Sequence, residues 1–219
     1  KNNRQQTHSF ISAGYSLIGC IAVLLWLFCF FVSYYIPWLR VFNTSALSET
    51  DMRLTVQISL SCVLANFCIG LVGAVLGGFQ KTSLVALGQF YSNVISLVFV
   101  CLAWIVFSPS IVVLAIIYGG AMLFSSAALS VGFYKKNKDL IPKFLIRREY
   151  ISPLLSVGLT FFIIQIAVLV VFTTDKILIS QFFGPKLVAQ YEVVMKIFAL
   201  FSFVRSEEHT SELQSPVRS

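Results

Sequence analysis

Hydrophobic positions in this chain come as unbroken runs rather than as a periodic stripe. Apolar residues dominate 11–37, 54–78, 83–107, 111–134 and 150–174, and none of these segments contains Asp, Glu, Lys or Arg. A helix rises about 1.5 Å per residue, so about 20 residues cross about 30 Å of hydrocarbon. Each run therefore predicts one spanning helix. A sixth run, residues 187–204, is shorter and carries Glu192 and Lys196. A membrane β-barrel would instead show segments of about ten residues with alternating polarity. The expected fold class is all-α, a polytopic membrane helix bundle with about six transmembrane helices.

Cations in alternate connections give the orientation. Lys1, Arg4, Lys81, Lys135, Lys136, Lys138, Lys143, Arg147 and Arg148 fall on one side, against Arg40, Arg53, Lys176 and Lys186 on the other. An excess of Lys and Arg marks the cytoplasmic side, which assigns the amino end and the loop at 135–149 to the cytoplasm. Trp38, Tyr34, Tyr35, Tyr134 and Tyr150 sit at segment ends, where amphipathic rings favour the interface. In the loop, Leu140, Ile141, Phe144 and Leu145 lie close to helical spacing among six cations. That pattern fits either a segment lying on anionic headgroups or an ordinary basic linker.

Composition agrees with a lipid-solvated chain. Of 219 residues, 58% are hydrophobic and 11% charged, against about 25% charged in soluble domains. Too little polar side chain is present to coat a water-facing surface, which excludes a soluble globule, a disordered chain and a disulfide-rich module. The net charge of +7 belongs with cytoplasmic loops and implies no nucleic-acid partner. Cys20, Cys29, Cys62, Cys68 and Cys101 lack metal-site spacing and are read as small buried hydrophobes. His8 is the only histidine before residue 205. No catalytic triad, carboxylate pair or phosphate loop is present, so neither catalytic residue, metal nor cofactor is expected.

Polar residues inside apolar runs turn toward other helices or water, because an unpaired polar group in lipid is costly. Gln89 and Asn93 are four apart and share a helix face with Ser92 and Ser96. Such a face serves either as a lining able to hydrogen-bond sugar hydroxyls or as a seam of interhelical hydrogen bonds. Gly70, Ala74 and Gly78 form a small-residue face, as do Gly73 and Gly77, which predicts close helix packing. Gly184-Pro185 marks an external turn. Beyond it Glu192 and Lys196 are spaced to pair with each other, the alternative being a Lys196 that faces a cavity and holds a phosphate.

The chain opens on Lys-Asn-Asn-Arg-Gln-Gln without Met, and the expectation is that its front is missing. After Val204 the composition changes abruptly. Residues 205–215 resemble, codon by codon, a translated sequencing-library adapter, so no role is assigned to His209 or the tail glutamates. The sixth helix is then expected to be cut short.

Asp175, Ile179, Gly184, Val188, Tyr191 and Lys196, at their spacings, resemble the seventh-to-eighth helix region of O-antigen and other polysaccharide flippases. These form a branch of the multidrug, oligosaccharidyl-lipid and polysaccharide exporter superfamily. Four spans, a basic loop and a further span are also similar to helices three to six, the inter-lobe linker and helix seven of that family. The resemblance implies a two-lobed exporter of twelve or more helices. Residues 1–134 would end the first lobe, 135–149 would be the linker, 150–204 would begin the second lobe and 205–219 would be the foreign tail. It further implies passage of an undecaprenyl diphosphate-linked oligosaccharide across the bacterial plasma membrane, membrane lipid as a partner, and other polysaccharide assembly proteins nearby. Lys196 is then the expected cavity cation, with Gln89, Asn93 and Tyr191 as further substrate contacts, Gly184 at the turn, and Asp175 either ordering that turn or pairing with Lys176. Three other readings stand beside it: a cation-coupled multidrug exporter, which needs an acid among the helices; a membrane polymerase or glycosyltransferase, which needs a long external loop; and a noncatalytic membrane subunit, whose polar faces would serve contacts alone.

Overall fold

The computed structural model of the chain describes the backbone of residues 2–106 and 110–214. Among the described residues eight α-helices follow one another: α1 (Asn2–Val32), α2 (Trp38–Val41), α3 (Glu49–Ile69), α4 (Leu71–Gly78), α5 (Thr82–Val106), α6 (Ile111–Lys136), α7 (Arg148–Phe183) and α8 (Pro185–Gln214). The described residues contain no strand. Ser215 of the adapter-like stretch lies outside the described residues.

Among the described residues five stretches are long and apolar enough to cross a membrane: Arg4–Val32, Glu49–Gly78, Thr82–Ile105, Ile111–Lys136 and Arg148–Phe183. Each overlaps one of the five uncharged runs. The chain is an all-α, multi-pass membrane protein. Its solvent is visible in its surface: Phe161, Phe172 and Trp104 are each more than 60% exposed, whereas Ala13, Ala22 and Ala121 are buried with Ser12, Ser92, Ser96 and Ser125. Large apolar side chains are stable in contact with lipid, and helices approach one another through small residues. The cysteines, expected to be buried, are not: Cys20 and Cys101 are exposed and the other three half-buried. A thiol in lipid gains nothing by turning inward.

The second span is broken at Gly70, which separates α3 from α4. Its N–H donates to Asn66 O at 2.7 Å, and a Cβ there would come within 2.6 Å of that same carbonyl. This glycine serves its own helix rather than the expected interhelical seam. Close approach occurs at two other glycines. A Cβ on Gly119 would fall 2.5 Å from Cys62 Sγ and 2.7 Å from Cys62 Cβ, and one on Gly88 would collide with Leu129. The α4 end is closed by paired turns, Gln80 N–H to Gly77 O at 2.9 Å and Lys81 N–H to Leu76 O at 2.8 Å, with Gln80 at φ 57°. This left-handed stop is the usual helix-ending motif with Gln where Gly is cheaper.

Contacts divide the chain into two units, one of Lys1–Trp38 with Leu47–Ile164 and one of Leu39–Ala46 with Gln165–Ser219. In the first, α6 packs on α3 and α5, and α1 packs on α3. Val72, Leu76, Phe133 and Leu140 form its buried cluster, with Ile11, Val85 and Leu129 against it.

The linker after α6 makes a single 3₁₀ turn, Lys138–Leu140, and then runs extended over residues 141–147. The surface helix that its spacing allowed is not formed. Pro142 has no N–H to give and biases Ile141 to extended backbone, where it sits at φ −57°, ψ 121°. The linker, from its 3₁₀ turn onward, is tied to α1 at regular intervals. Arg4 Nη1 pairs with Asp139 Oδ2 at 3.0 Å, and His8 Nε2 donates to Ile141 O at 2.9 Å. Lys143 N–H donates to Ser12 Oγ at 3.1 Å, and Leu145 N–H to Ser16 Oγ at 2.8 Å. Two linker residues at about 3.3 Å each match four helical residues at about 1.5 Å each, so the two elements stay in step.

In the second unit, α7 ends and α8 begins around Gly184, at φ +84°. Pro185 occupies the first helical position, where its missing N–H costs nothing. The turn expected at Gly184-Pro185 is therefore formed. Asn43 Nδ2 donates to Gln181 O at 3.0 Å and Gln181 Nε2 donates to Val41 O, which ties the residue 39–46 segment to the end of α7. Helix α8 continues beyond Val204 to Gln214.

Candidate functional site

A cleft of about 430 Å³ opens among α3, α5 and α6 in the first unit. Helix α5 contributes Gln89, Ser92, Asn93 and Ser96, the four residues whose spacing placed them on one face. Ser92 and Ser96 are buried, while Gln89 and Asn93 are exposed beside them. Gln89 Nε2 donates to Asn93 Oδ1 at 3.3 Å. Each amide retains further donor and acceptor capacity beyond this bond.

The facing walls carry polar groups that no run-by-run reading would single out. Thr55 and Ser59 come from α3 and Tyr118 from α6. Thr55 Oγ1 donates to Asp51 O at 2.7 Å, which spends its proton on its own helix and leaves lone pairs for a ligand. Near the floor, Gly119 meets Cys62, so α3 and α6 approach closely on one side of the cleft while α5 lines the other. The lining is uncharged, with hydroxyls and amides set among apolar residues. Such a surface binds neutral hydroxylated groups by hydrogen bonding and offers nothing to hold a metal ion. Among the described residues, no group of three or more His, Cys, Asp or Glu is gathered.

The remaining sequence-derived residues, Asp175, Gly184, Tyr191 and Lys196, belong to the second unit. Their partners differ from those the spacing allowed. Lys176 Nζ lies 2.5 Å from Glu192 Oε1, and Tyr191 Oη donates to Asp175 Oδ2 at 3.4 Å. Two successive residues of α7 thus meet two successive residues of α8 across the Gly184 turn. The within-helix ion pair of Glu192 with Lys196 is not formed; the Glu192 carboxylate is held by the Lys176 ammonium instead. Lys196 is exposed and makes no ion pair among the described residues.

No curated protein and no solved structure matches the chain. The model of one family, described as polysaccharide biosynthesis protein, matches residues 1–204. That match ends where the composition changes. With five membrane-spanning helices and a polar cleft among them, the chain belongs to the polysaccharide biosynthesis protein family and has a role in making polysaccharide.

Proposed function

We propose that the chain is part of a flippase that carries a lipid-linked oligosaccharide, on undecaprenyl diphosphate, from the inner to the outer leaflet of a bacterial plasma membrane, for O-antigen or another surface polysaccharide. The observation that carries this reading is the uncharged cleft lined by Gln89, Ser92, Asn93 and Ser96 with Thr55 and Ser59. Neutral donors and acceptors suit glycan hydroxyls, and a face of this kind inside a lipid-exposed bundle gives the polar headgroup a way past hydrocarbon while its lipid tail stays outside. The loop at 135–149 is then cytoplasmic by its cations. Lys196, which forms no ion pair among the described residues, is the cation proposed to meet the diphosphate, with Tyr191 as a further substrate contact. The role is transport rather than catalysis.

The test is complementation of a flippase-deficient strain by the complete gene. Surface glycan is expected to return, and to fall again when Gln89→Leu and Asn93→Leu are combined at unchanged membrane abundance. Full glycan display by that double variant removes the cleft from the path, and no display by the parent gene across matched glycans rejects the flippase.

A further inference from the structure

A second cavity, distinct from the polar cleft, lies between α5 and α6 toward the ends that carry Lys81 and Lys136, and encloses about 530 Å³. Its walls are apolar: Leu84, Leu87 and Ile95 on α5, Phe124, Ala128 and Leu129 on α6. Leu87 and Phe124 are at least half exposed, so the groove opens sideways to whatever solvates the bundle. Tyr91 and Ser125 add hydroxyls along its length, with the Ser125 proton spent on Gly88 O, and its charged groups are gathered at one end. Lys81 follows the left-handed stop at Gln80, immediately before α5 begins at Thr82, and Lys136 is the last residue of α6. Neither lysine forms an ion pair among the described residues.

From Leu84 to Ile95 is eleven residues, about 16 Å of helix. One leaflet of hydrocarbon is about 15 Å deep. We infer that the groove is a docking site for an anionic diacyl phospholipid of the inner leaflet, its phosphate between Lys81 and Lys136 and one acyl chain along α5 and α6. The dimensions and the segregation of charge argue together. A lipid chain needs an apolar channel one leaflet deep, and its headgroup needs cations at the mouth of that channel and nowhere along it. A polyprenyl chain, much longer than one leaflet is deep, matches the channel poorly. Gly132 lines the groove, and a Cβ built on it meets nothing within 4 Å. The channel is thus open at a position where any larger residue would fill it. This site is separate from the glycan cleft and does not depend on the transport reading.

The experiment uses the full chain in phosphatidylcholine nanodiscs containing phosphatidylglycerol with a photoactivatable diazirine in its acyl chain, with crosslinks mapped by mass spectrometry. Crosslinks are expected on residues 84–95 and 124–132, competed by unlabelled phosphatidylglycerol and not by added phosphatidylcholine. Lys81→Gln with Lys136→Gln lowers the labelling by about fivefold for each lysine removed, while Lys135→Gln, which does not line the groove, leaves it unchanged. Gly132→Leu keeps both cations and abolishes the acyl-chain crosslinks. Both lysines are exposed at helix ends, so the double variant stays informative even where Gly132→Leu fails to fold. The inference is overturned by equal competition from phosphatidylcholine, by better competition from a polyprenyl phosphate, by crosslinks elsewhere, by occupation of the groove by another polypeptide segment, or by labelling that survives loss of both lysines.

Discussion

The two units solve the same problem, holding helices together in lipid, by opposite means. The first interlocks its helices through missing side chains: α3 reaches α6 because Gly119 has no Cβ to strike Cys62, and α5 reaches α6 because Gly88 leaves room for Leu129. Ser125 Oγ then donates to Gly88 O at 2.5 Å across the gap. The second unit joins α7 to α8 through added groups, the Lys176–Glu192 and Tyr191–Asp175 pairs, while Phe172, Phe182 and Phe198 stay exposed. Apolar burial cannot discriminate between partners where lipid is equally apolar, so specificity falls to backbone proximity at the α3–α6 and α5–α6 crossings and to polar complementarity between α7 and α8. The first device is rigid and position-specific, and the second can exchange partners.

Breaking the interlock at Gly119 has the largest expected effect. Gly119→Ala should destabilise the first unit by about 1–3 kcal/mol, measured as denaturant or thermal unfolding in detergent. Gly120→Ala, beside it and with nothing within 4 Å of a Cβ, is near neutral. Adding Cys62→Gly to Gly119→Ala recovers part of the loss. Additive losses in that pair would mean that the contact is not the cause.

The exchangeable device in the second unit is sharpened through Lys196. Lys196→Ala in the complete protein lowers transport about tenfold, the value of one hydrogen bond to a charged group, and more than Lys186→Ala does. Lys176→Gln should lower transport in the same direction, because Glu192 is then free to capture Lys196 one turn away. Equal activity of the Lys196→Ala and Lys186→Ala variants at matched expression takes Lys196 out of the site.

Two smaller effects complete the contrast. Ser125→Ala removes one interhelical hydrogen bond and should cost about 0.6 kcal/mol, the average for such bonds in membranes. Gln80→Gly relieves the left-handed strain at the end of α4 and is expected to stabilise by a few tenths of a kcal/mol. A loss of stability there would contradict the geometry of that stop.

What was legible in the sequence was whatever one helix decides by itself. The uncharged runs fix the spans because the hydrocarbon sets their length, and i to i+4 spacing put Gln89 and Asn93 together because helical pitch is invariant. Gly184-Pro185 stopped and restarted helices for reasons local to those two residues. Choices between helices were not legible. Nothing in the sequence distinguishes Gly119, which meets Cys62, from Gly120, which meets nothing, and the Gly70 seam read as packing is a break in its own helix. Glu192 chose Lys176 over Lys196 because a turn brought α7 back, a fact four-residue spacing cannot carry. Thr55, Ser59 and Tyr118 joined the cleft for the same reason. Ser12 and Ser16 escaped notice because serine in a long apolar helix commonly bonds its own backbone, as Ser16 also does to Ser12 O. Pro142 was the one available clue that the linker runs extended.

That linker has a mechanical property beyond its role as a connection. Arg4, His8, Ser12 and Ser16 stand like evenly spaced teeth on α1, and the linker engages them at every second residue. A small slide disengages all four at once, and the next matching register lies a full step of about 6 Å away, where Cys20 provides no fifth tooth. The pair therefore behaves as a vernier with one setting, and any movement that shifts the far end of the linker must either carry α1 along with it or release the whole row.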